Sequence, residues 1–212
     1  MHLPGSLDAP RLGGSAPRVV GTVLGMSNDA ERQRLAALLA ERALFRESVV
    51  LASGRRSDYY LDVRQVLLDP EGAHLAGRLS YPLLAPAGPR AVGGLTLGAD
   101  PLVCAVSAAA YADGTHWTGF FVRKEAKKHG LQHWIEGPFV EEGTPVAIVD
   151  DVLTSGGSML TALERARAAG AEVVAALVVV DRGEDDGRAK VEAELGGAPL
   201  HALFTAQELL AL

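Results

Sequence analysis

Two adjacent aspartates, Asp150 and Asp151, separate an apolar run from a turn rich in glycine and hydroxyl residues. The run occupies 146–149, and the turn at 154–158 opens an Ala/Leu-rich stretch that ends at Gly170. This order predicts a buried strand, a loop and a helix. Glycines let the backbone approach a ligand, and free N–H groups at a helix start favour an anion, so the turn predicts a phosphate site.

The two carboxylates would repel a bare phosphate. A sugar phosphate meets both demands, because its hydroxyls donate hydrogen bonds to Asp150 and Asp151 while its phosphate lies in the turn, with Mg²⁺ bridging nearby oxygens. No lysine follows the glycines, which excludes the phosphate loop of nucleotide triphosphatases. The simpler alternative is an acidic turn with a helix cap at Ser155 or Ser158, but a cap does not require two consecutive aspartates.

A basic segment, residues 123–130, lies shortly before the phosphate strand. Its cationic side chains are Arg123, Lys124, Lys127, Lys128 and His129. The net charge of the whole chain is −6, which argues against general nucleic-acid binding. A solvated charge run is the common interpretation of such a segment. Its place before the phosphate strand instead favours a mobile loop that closes cations over an anion.

Alternating helices and strands are predicted to position these residues. Helices are predicted from Asn28 or Asp29 to Phe45, from Asp69-Pro70 to about Pro82, and at 101–112 and 159–169. Strands are predicted at 91–94, 116–122, 146–149 and 173–180, with a hairpin in which 49–53 and 59–62 flank a basic turn. The alternation predicts an α/β fold with a mainly parallel sheet flanked by helices, and ligands bind such sheets at the carboxyl ends of strands.

Length and composition agree with one domain plus a small addition. The chain has 212 residues, of which 48% are hydrophobic and 22% charged. No apolar run approaches the roughly 20 residues of a membrane span. The single cysteine, Cys104, excludes a disulfide framework and is predicted to be a buried small hydrophobe.

Residues 1–26 are predicted to be a flexible leader, and Met26 is a candidate translation start. A cytoplasmic location is expected.

Several motifs resemble one family. The 150–158 motif resembles the ribose-phosphate signature of type I phosphoribosyltransferases, which use phosphoribosyl pyrophosphate (PRPP). The basic segment with 135–137 resembles the catalytic loop of the orotate phosphoribosyltransferase family. In the same family, 53–60 resembles the orotate hairpin, 93–101 the pyrophosphate loop, and 180–182 the strand end whose arginine meets the orotate carboxylate.

The resemblance implies transfer of the phosphoribosyl group from PRPP to N1 of orotate in pyrimidine (UMP) synthesis. It implies Mg²⁺ bound mainly through PRPP or pyrophosphate, with no dedicated protein ligands for the metal. The implied fold is the type I phosphoribosyltransferase fold, a single domain over 27–212. In it a small helix and hairpin hood, about 27–68 plus C-terminal residues, covers a core of about 69–195. A homodimer that shares the basic loop across its interface is also implied.

The resemblance also assigns roles to residues. Those implied to be catalytic are Lys124, Lys127, His129 and Asp151. Those implied to bind PRPP are Arg123, Lys124, Lys127, His129, Asp150, Asp151, Val152, Leu153, Thr154, Ser155, Gly156, Gly157 and Ser158. Those implied to bind orotate are Thr154, Arg182, Tyr59 and Tyr60. The tyrosines alternate faces on a strand, so one is expected on the pyrimidine and the other in the core.

Two departures from the family pattern concern charge. Many members carry a lysine where this chain has Ala52, and some carry one in the pyrophosphate loop, where this chain has Gly98. Arg55 or Arg56 is a hypothesis for the missing charge. Two alternatives remain open: a phosphoribosyltransferase for another nucleobase, and a PRPP-sensing regulator. The carboxylate-reading Arg182 disfavours the first, and the lack of an appended DNA-binding element disfavours the second.

Overall fold

The computed structural model describes residues 28–46, 49–50, 56–125, 134–138 and 141–212. The predicted leader with Met26 lies outside the described residues. So do Ala52, Arg55, Lys127, Lys128 and His129, and of Arg56 only the backbone is described.

The N-terminal part combines one helix with short paired strands. Helix α1 (Asn28–Arg42) is followed by β1 (Leu44–Phe45), β2 (Val49–Val50), β3 (Arg56–Ser57), β4 (Tyr60–Leu61) and the short helix α2 (Arg64–Leu67). The predicted first helix is therefore too long by three residues, because Leu44 and Phe45 pair antiparallel with Leu61 and Tyr60. The hairpin also differs from the prediction: 49–50 pairs with 56–57, inside the stretch predicted as its turn.

Helix α3 (Pro70–Leu84) begins where the sequence predicts. Asp69 caps it by accepting hydrogen bonds from the backbone N–H groups of Glu71, at 3.0 Å, and Gly72, at 3.3 Å. Pro70 occupies the first turn, where its missing N–H would have no helical partner. The helix then passes through a 3-10 turn (Ala85–Ala87) to the central sheet.

The remaining elements alternate between strand and helix. They are β5 (Ala91–Leu95), α4 (Asp100–Ala112), β6 (Thr118–Val122), β7 (Ile135–Glu136), β8 (Pro145–Leu153), α5 (Gly157–Ala168), β9 (Glu172–Asp181), α6 (Gly187–Leu195), β10 (Leu200–Thr205) and α7 (Ala206–Leu210). The central sheet has the order β10-β9-β8-β5-β6-β7, and of these six described strands only β7 runs antiparallel to its neighbour. The predicted mainly parallel α/β architecture is confirmed.

Two hydrophobic layers cover the two faces of the sheet. Along β8, Ala147 and Val149 face the layer that contains α1, α3 and α4, whereas Val146 and Ile148 face the layer that contains α5 and α6. The strand is apolar throughout because both of its faces are buried.

Three local features differ from the sequence prediction. Cys104 is exposed rather than buried, because Leu102 and Val103 occupy the inner face of α4. Strand β8 continues through Asp150 and Asp151 to Leu153, since it pairs with β9 along this length. The sheet extends past residue 195, because β10 pairs in parallel with β9, and α7 then packs beside α1. Among the helices of the described chain, none has the length and apolar character to cross a membrane.

Candidate active site

An open pocket of about 480 Å³ lies where the central strands end. Leu95 reaches it from the end of β5, Lys124 from beyond β6, Asp150 from β8 and Arg182 from beyond β9. Residues that are distant in sequence meet here because parallel strands present their carboxyl ends at one edge of the sheet. The candidate site is therefore built by four strands rather than by one motif.

The turn between β8 and α5 forms one wall of the pocket. Thr154, Ser155 and Ser158 line the pocket, and Gly156 precedes the first residue of α5. Gly156 has φ of 84° and ψ of −5°, a left-handed conformation that glycine adopts without strain. The N-terminus of a twelve-residue helix thus opens onto the pocket, where its unpaired N–H groups favour an anion.

Helix α6 supports this turn from outside the pocket. A Cβ atom at Gly187 would lie 2.0 Å from the backbone oxygen of Thr154 and 2.9 Å from its carbonyl carbon. The backbone N–H of Gly187 donates to the carbonyl of Glu184 at 3.1 Å. The start of α6 therefore touches the turn so closely that only glycine fits.

The two aspartates occupy different environments on β8. Asp150 is 5% exposed, and its Oδ1 accepts a hydrogen bond from the backbone N–H of Asp151 at 3.0 Å. Asp151 Oδ1 accepts from the N–H of Val152 at 2.9 Å. Burial, followed by the negative charge of Asp151, raises the pKa of Asp150 well above its usual value. Burial also raises the pKa of Asp151.

The next residues of the predicted PRPP motif divide between the pocket and the core. Val152 lines the pocket, whereas Leu153 is buried and its carbonyl accepts the backbone N–H of Arg182 at 2.9 Å. Gly157 is the first residue of α5, and its carbonyl accepts the hydroxyl of Thr161 at 2.8 Å.

Arg182 is held in a buried cluster at the pocket wall. Its side chain is 4% exposed, and its Nε and Nη2 donate to Glu184 Oε1 at 3.2 and 3.0 Å. Its guanidinium lies 4.4 Å from the centre of the Tyr59 ring, and the Tyr59 hydroxyl donates to the same Glu184 oxygen at 3.1 Å. The pKa of Tyr59 is raised mainly by burial.

The two tyrosines face opposite ways. Tyr59 is half-buried and packs against the core and Arg182, whereas Tyr60 is 42% exposed and lines the pocket. The sequence left open which tyrosine would face a ligand, and in the structure Tyr60 is the one that lines the pocket. The Tyr60 ring lies 6.2 Å from that of Phe45 across the β1–β4 pair.

Arg123, the first residue of the basic segment, is bonded to the chain at 134–136. The backbone N–H of Arg123 donates to the carbonyl of Trp134 at 2.8 Å, and Arg123 Nη1 contacts Glu136 Oε1 at 2.5 Å. Arg165 of α5 donates to the Arg123 carbonyl and lies 4.0 Å from the centre of the Trp134 ring. Lys124 lines the pocket, while Lys127 and His129 lie outside the described residues.

Three charged residues line the pocket that the sequence motifs did not single out. They are Asp62, Arg64 and Asp185. In the sequence, Asp62 and Arg64 form a short Asp-x-Arg pattern directly after the tyrosine-containing strand. Such a pattern does not by itself indicate a binding site. Within the described ranges, no group of three or more His, Cys, Asp or Glu side chains is arranged to hold a metal ion. The carboxylates of Asp150 and Asp151 are oxygen donors of the kind Mg²⁺ takes, so a metal here would complete its shell with oxygens from outside these residues.

Comparisons with known proteins agree on one family. Residues 101–193 match the family model described as "Phosphoribosyl transferase domain". The orotate phosphoribosyltransferase of Aquifex aeolicus is 44% identical over 183 residues, which cover 85% of this chain and 98% of that protein. The corresponding protein of Streptomyces avermitilis is 43% identical, over 85% of this chain and 98% of that protein. Among solved structures, Mycobacterium tuberculosis orotate phosphoribosyltransferase in complex with PRPP superposes with a TM-score of 0.70 at 36% identity, covering 84% of this chain and 98% of that one.

Proposed function

Because the chain belongs to the orotate phosphoribosyltransferase family, we propose that its pocket transfers the 5-phosphoribosyl group of PRPP to N1 of orotate. The N1–C1′ bond forms as N1 loses its proton to the solvent, the C1′–oxygen bond to pyrophosphate breaks, and the products are orotidine 5′-monophosphate and pyrophosphate. The observation that carries this proposal is the meeting of the Asp150-Asp151 pair, the 154–158 turn and Arg182 in one pocket.

The ribose 5-phosphate half of PRPP is assigned to β8 and α5. The phosphate accepts hydrogen bonds from backbone N–H groups of the turn and from the hydroxyls of Thr154, Ser155 and Ser158, beside the positive end of the α5 dipole. Asp150, which is buried, and Asp151, which is partly buried, accept hydrogen bonds from the ribose hydroxyls. These bonds give polar partners to two carboxylates whose pKa values are raised by burial.

Orotate is assigned to the side of the pocket formed by Tyr60, Thr154 and Arg182. A guanidinium matches a carboxylate with two parallel hydrogen bonds. In the structure Glu184 holds Arg182 with hydrogen bonds from two nitrogens, and Tyr59 packs against its guanidinium. These contacts fix the orientation of Arg182, which supports a role in reading the orotate carboxylate. An uncharged purine or uracil would offer that arginine no partner.

Catalysis rests on positioning the two substrates and on neutralising the charge of the leaving pyrophosphate, because a loose transition state at C1′ requires little covalent catalysis. Lys124 is in the pocket, and Lys127 and His129, with Arg123, follow from the family resemblance as the cations that close over the pyrophosphate. Mg²⁺, if bound mainly through PRPP, would supply further charge neutralisation for the leaving pyrophosphate. Closure also excludes water that would hydrolyse PRPP.

A homodimer with the basic loop shared between subunits, and a cytoplasmic location, belong to the same proposal. Both follow from the family resemblance. Light scattering coupled to gel filtration checks the first: the proposal expects twice the mass of one 22.2 kDa chain.

The decisive assay follows orotate loss by ultraviolet absorbance with PRPP and Mg²⁺. We expect turnover that stops with EDTA and returns with added Mg²⁺. Turnover of hypoxanthine, adenine or uracil without turnover of orotate would overturn the substrate assignment and leave the fold intact. Asp151→Asn, which keeps the side-chain shape and removes the charge, should lower kcat/KM for PRPP, whereas the exposed Glu194→Gln, on the outside of α6, should not.

A further inference from the structure

The pocket has an imbalance of charge for an enzyme that binds a polyanion. The carboxylates among its described lining residues are Asp62, Asp150, Asp151 and Asp185. The cations in that same set are Arg64, Lys124 and Arg182, and Arg182 already pairs with Glu184. PRPP carries a phosphate and a diphosphate, so a fixed cation near the diphosphate would offset the repulsion between these anionic groups and the carboxylates of the pocket.

Arg64 is anchored as a fixed group. It is the first residue of α2, and Val63, Val66 and Leu67 around it are 0%, 0% and 1% exposed. Its Nε donates to Asp62 Oδ1 at 2.7 Å. The N–H of Asp62 in turn donates to the carbonyl of Ala43 at 2.9 Å. The base of the Arg64 side chain is thus held by the core.

The outer part of the same guanidinium faces the pocket without a fixed bond. The Arg64 side chain is 43% exposed and lines the pocket. Its two terminal nitrogens have no hydrogen-bond partner within the part of the chain that the structure describes. Asp62 therefore orients the guanidinium through Nε and leaves the paired terminal donors for a ligand.

Arg64, Gly98 and Asp151 line the same pocket, and Gly98 lies directly against the Asp151 carboxylate. A Cβ atom at position 98 would lie 2.7 Å from Asp151 Oδ1 and 3.0 Å from its carboxyl carbon, so a lysine cannot be accommodated there without moving Asp151. Burial raises the pKa of Asp151, and the positive charge of Arg64 is among the influences that oppose this rise. The pKa of Arg64 itself is raised, first by its hydrogen bond to Asp62 and also by the charge of Asp151.

We propose that Arg64 binds the diphosphate of PRPP, supplying from α2 a positive charge that residues 93–101 lack. This rests on the proposed function of the pocket. Asp151 takes the ribose hydroxyls, and the diphosphate leaves from the adjacent C1′, which puts it beside the neighbours of Asp151. Arg182, which lines the pocket and is held by Glu184 and Tyr59, is assigned to the orotate carboxylate, so Arg64 is not needed for that group. The hypothesis for Arg55 or Arg56 stays a prediction, because Arg55 lies outside the described residues and only the backbone of Arg56 is described.

The test compares two ligands that share the pocket but differ in the diphosphate. Equilibrium binding by titration calorimetry is measured for pyrophosphate with Mg²⁺, and for orotidine 5′-monophosphate. Variants are Arg64→Gln, Arg64→Lys and the control Arg34→Gln. Arg34 is an equally exposed arginine, at 44%, that pairs with Glu71 outside the pocket.

The expected result is a selective loss. Arg64→Gln should raise the Kd for pyrophosphate and the KM for PRPP about 10- to 100-fold, as for loss of a charged hydrogen bond. In the same variant, the Kd for orotidine 5′-monophosphate should change less than about twofold, which is a small change in binding free energy. Arg64→Lys should fall between wild type and Arg64→Gln, since it keeps the charge and loses the paired donors. Arg34→Gln should bind both ligands as wild type does.

Three outcomes would overturn the assignment: equal weakening of both ligands by Arg64→Gln, weakening of orotidine 5′-monophosphate alone, or no effect on either. The first would indicate a general role in shaping the pocket, and the second a contact with the base. Orotate turnover by wild type is measured alongside. Its absence would refute the proposed function, whereas the pyrophosphate measurement would still decide the role of Arg64.

Discussion

The close contact between α6 and the phosphate turn makes Gly187 a sensitive position. A Cβ atom there would lie 2.0 Å from the Thr154 oxygen, whereas ordinary contacts begin at 3.4 Å, so Gly187→Ala requires a shift of about 1.4 Å. Helix α6 cannot easily retreat, because Val191 and Leu195 are buried and Arg188 pairs with Asp181 at 2.7 Å. Much of the shift therefore falls on the turn.

A displacement of about 1 Å at a positioning element can cost about 100-fold in rate. We expect Gly187→Ala to lower kcat/KM for PRPP by roughly that factor, and overpacking to lower stability by about 1–3 kcal/mol. Initial-rate kinetics and thermal denaturation measure the two effects separately.

Gly196→Ala is the matched control at the other end of α6. Its φ is +63° and a Cβ atom there meets nothing within 4 Å, so alanine strains the backbone without touching the turn. This control should lose about 1–2 kcal/mol of stability and keep wild-type kinetics. If kcat/KM for PRPP in Gly187→Ala stays within about threefold of wild type, far from the roughly 100-fold fall expected for a displaced turn, then α6 does not set the position of the turn.

Three further predictions test other parts of the site. Asp150→Asn should raise the melting temperature of the ligand-free protein at pH 8 and weaken PRPP binding. Because burial raises the pKa of Asp150, the charged carboxylate destabilises the folded protein at pH values above that raised pKa. The stability gained by Asp150→Asn should therefore shrink as the pH falls through the pKa of Asp150 in the folded protein. Calorimetry from pH 5 to 8 that finds no gain in melting temperature would contradict this. Arg182→Gln should raise the KM for orotate about 10- to 100-fold with little change in the KM for PRPP, whereas the exposed Arg167→Gln should change neither. Lys127→Ala should lower kcat at least about tenfold with an unchanged melting temperature, and early melting with normal kcat would instead indicate a structural role.

The sequence determined the features that depend on neighbours along the chain. The β8–turn–α5 motif, the Asp69 cap of α3 and the alternation of strands with helices were predicted because hydrophobic period, caps and glycines act over a few residues. The pocket at the carboxyl ends of the strands follows from that alternation, since parallel strands share one edge.

Boundaries and side-chain faces depended on long-range pairing. The first helix ends at Arg42 because Leu44 and Phe45 pair with β4. Cys104 lies outside because its neighbours in α4 fill the inner face. Strand β10 gives a weak local signal, and its place in the sheet is set by pairing with β9.

Only the tertiary structure decided which distant groups meet in the site. The sequence predicted a ligand-binding role for Arg182 but not the Glu184 and Tyr59 contacts that hold it, and it offered no reason to place Arg64 in the same pocket as Asp151. Nor did it show that Gly187 touches Thr154. Such contacts arise when separate elements pack against one sheet, and their distances depend on that packing rather than on spacing along the chain.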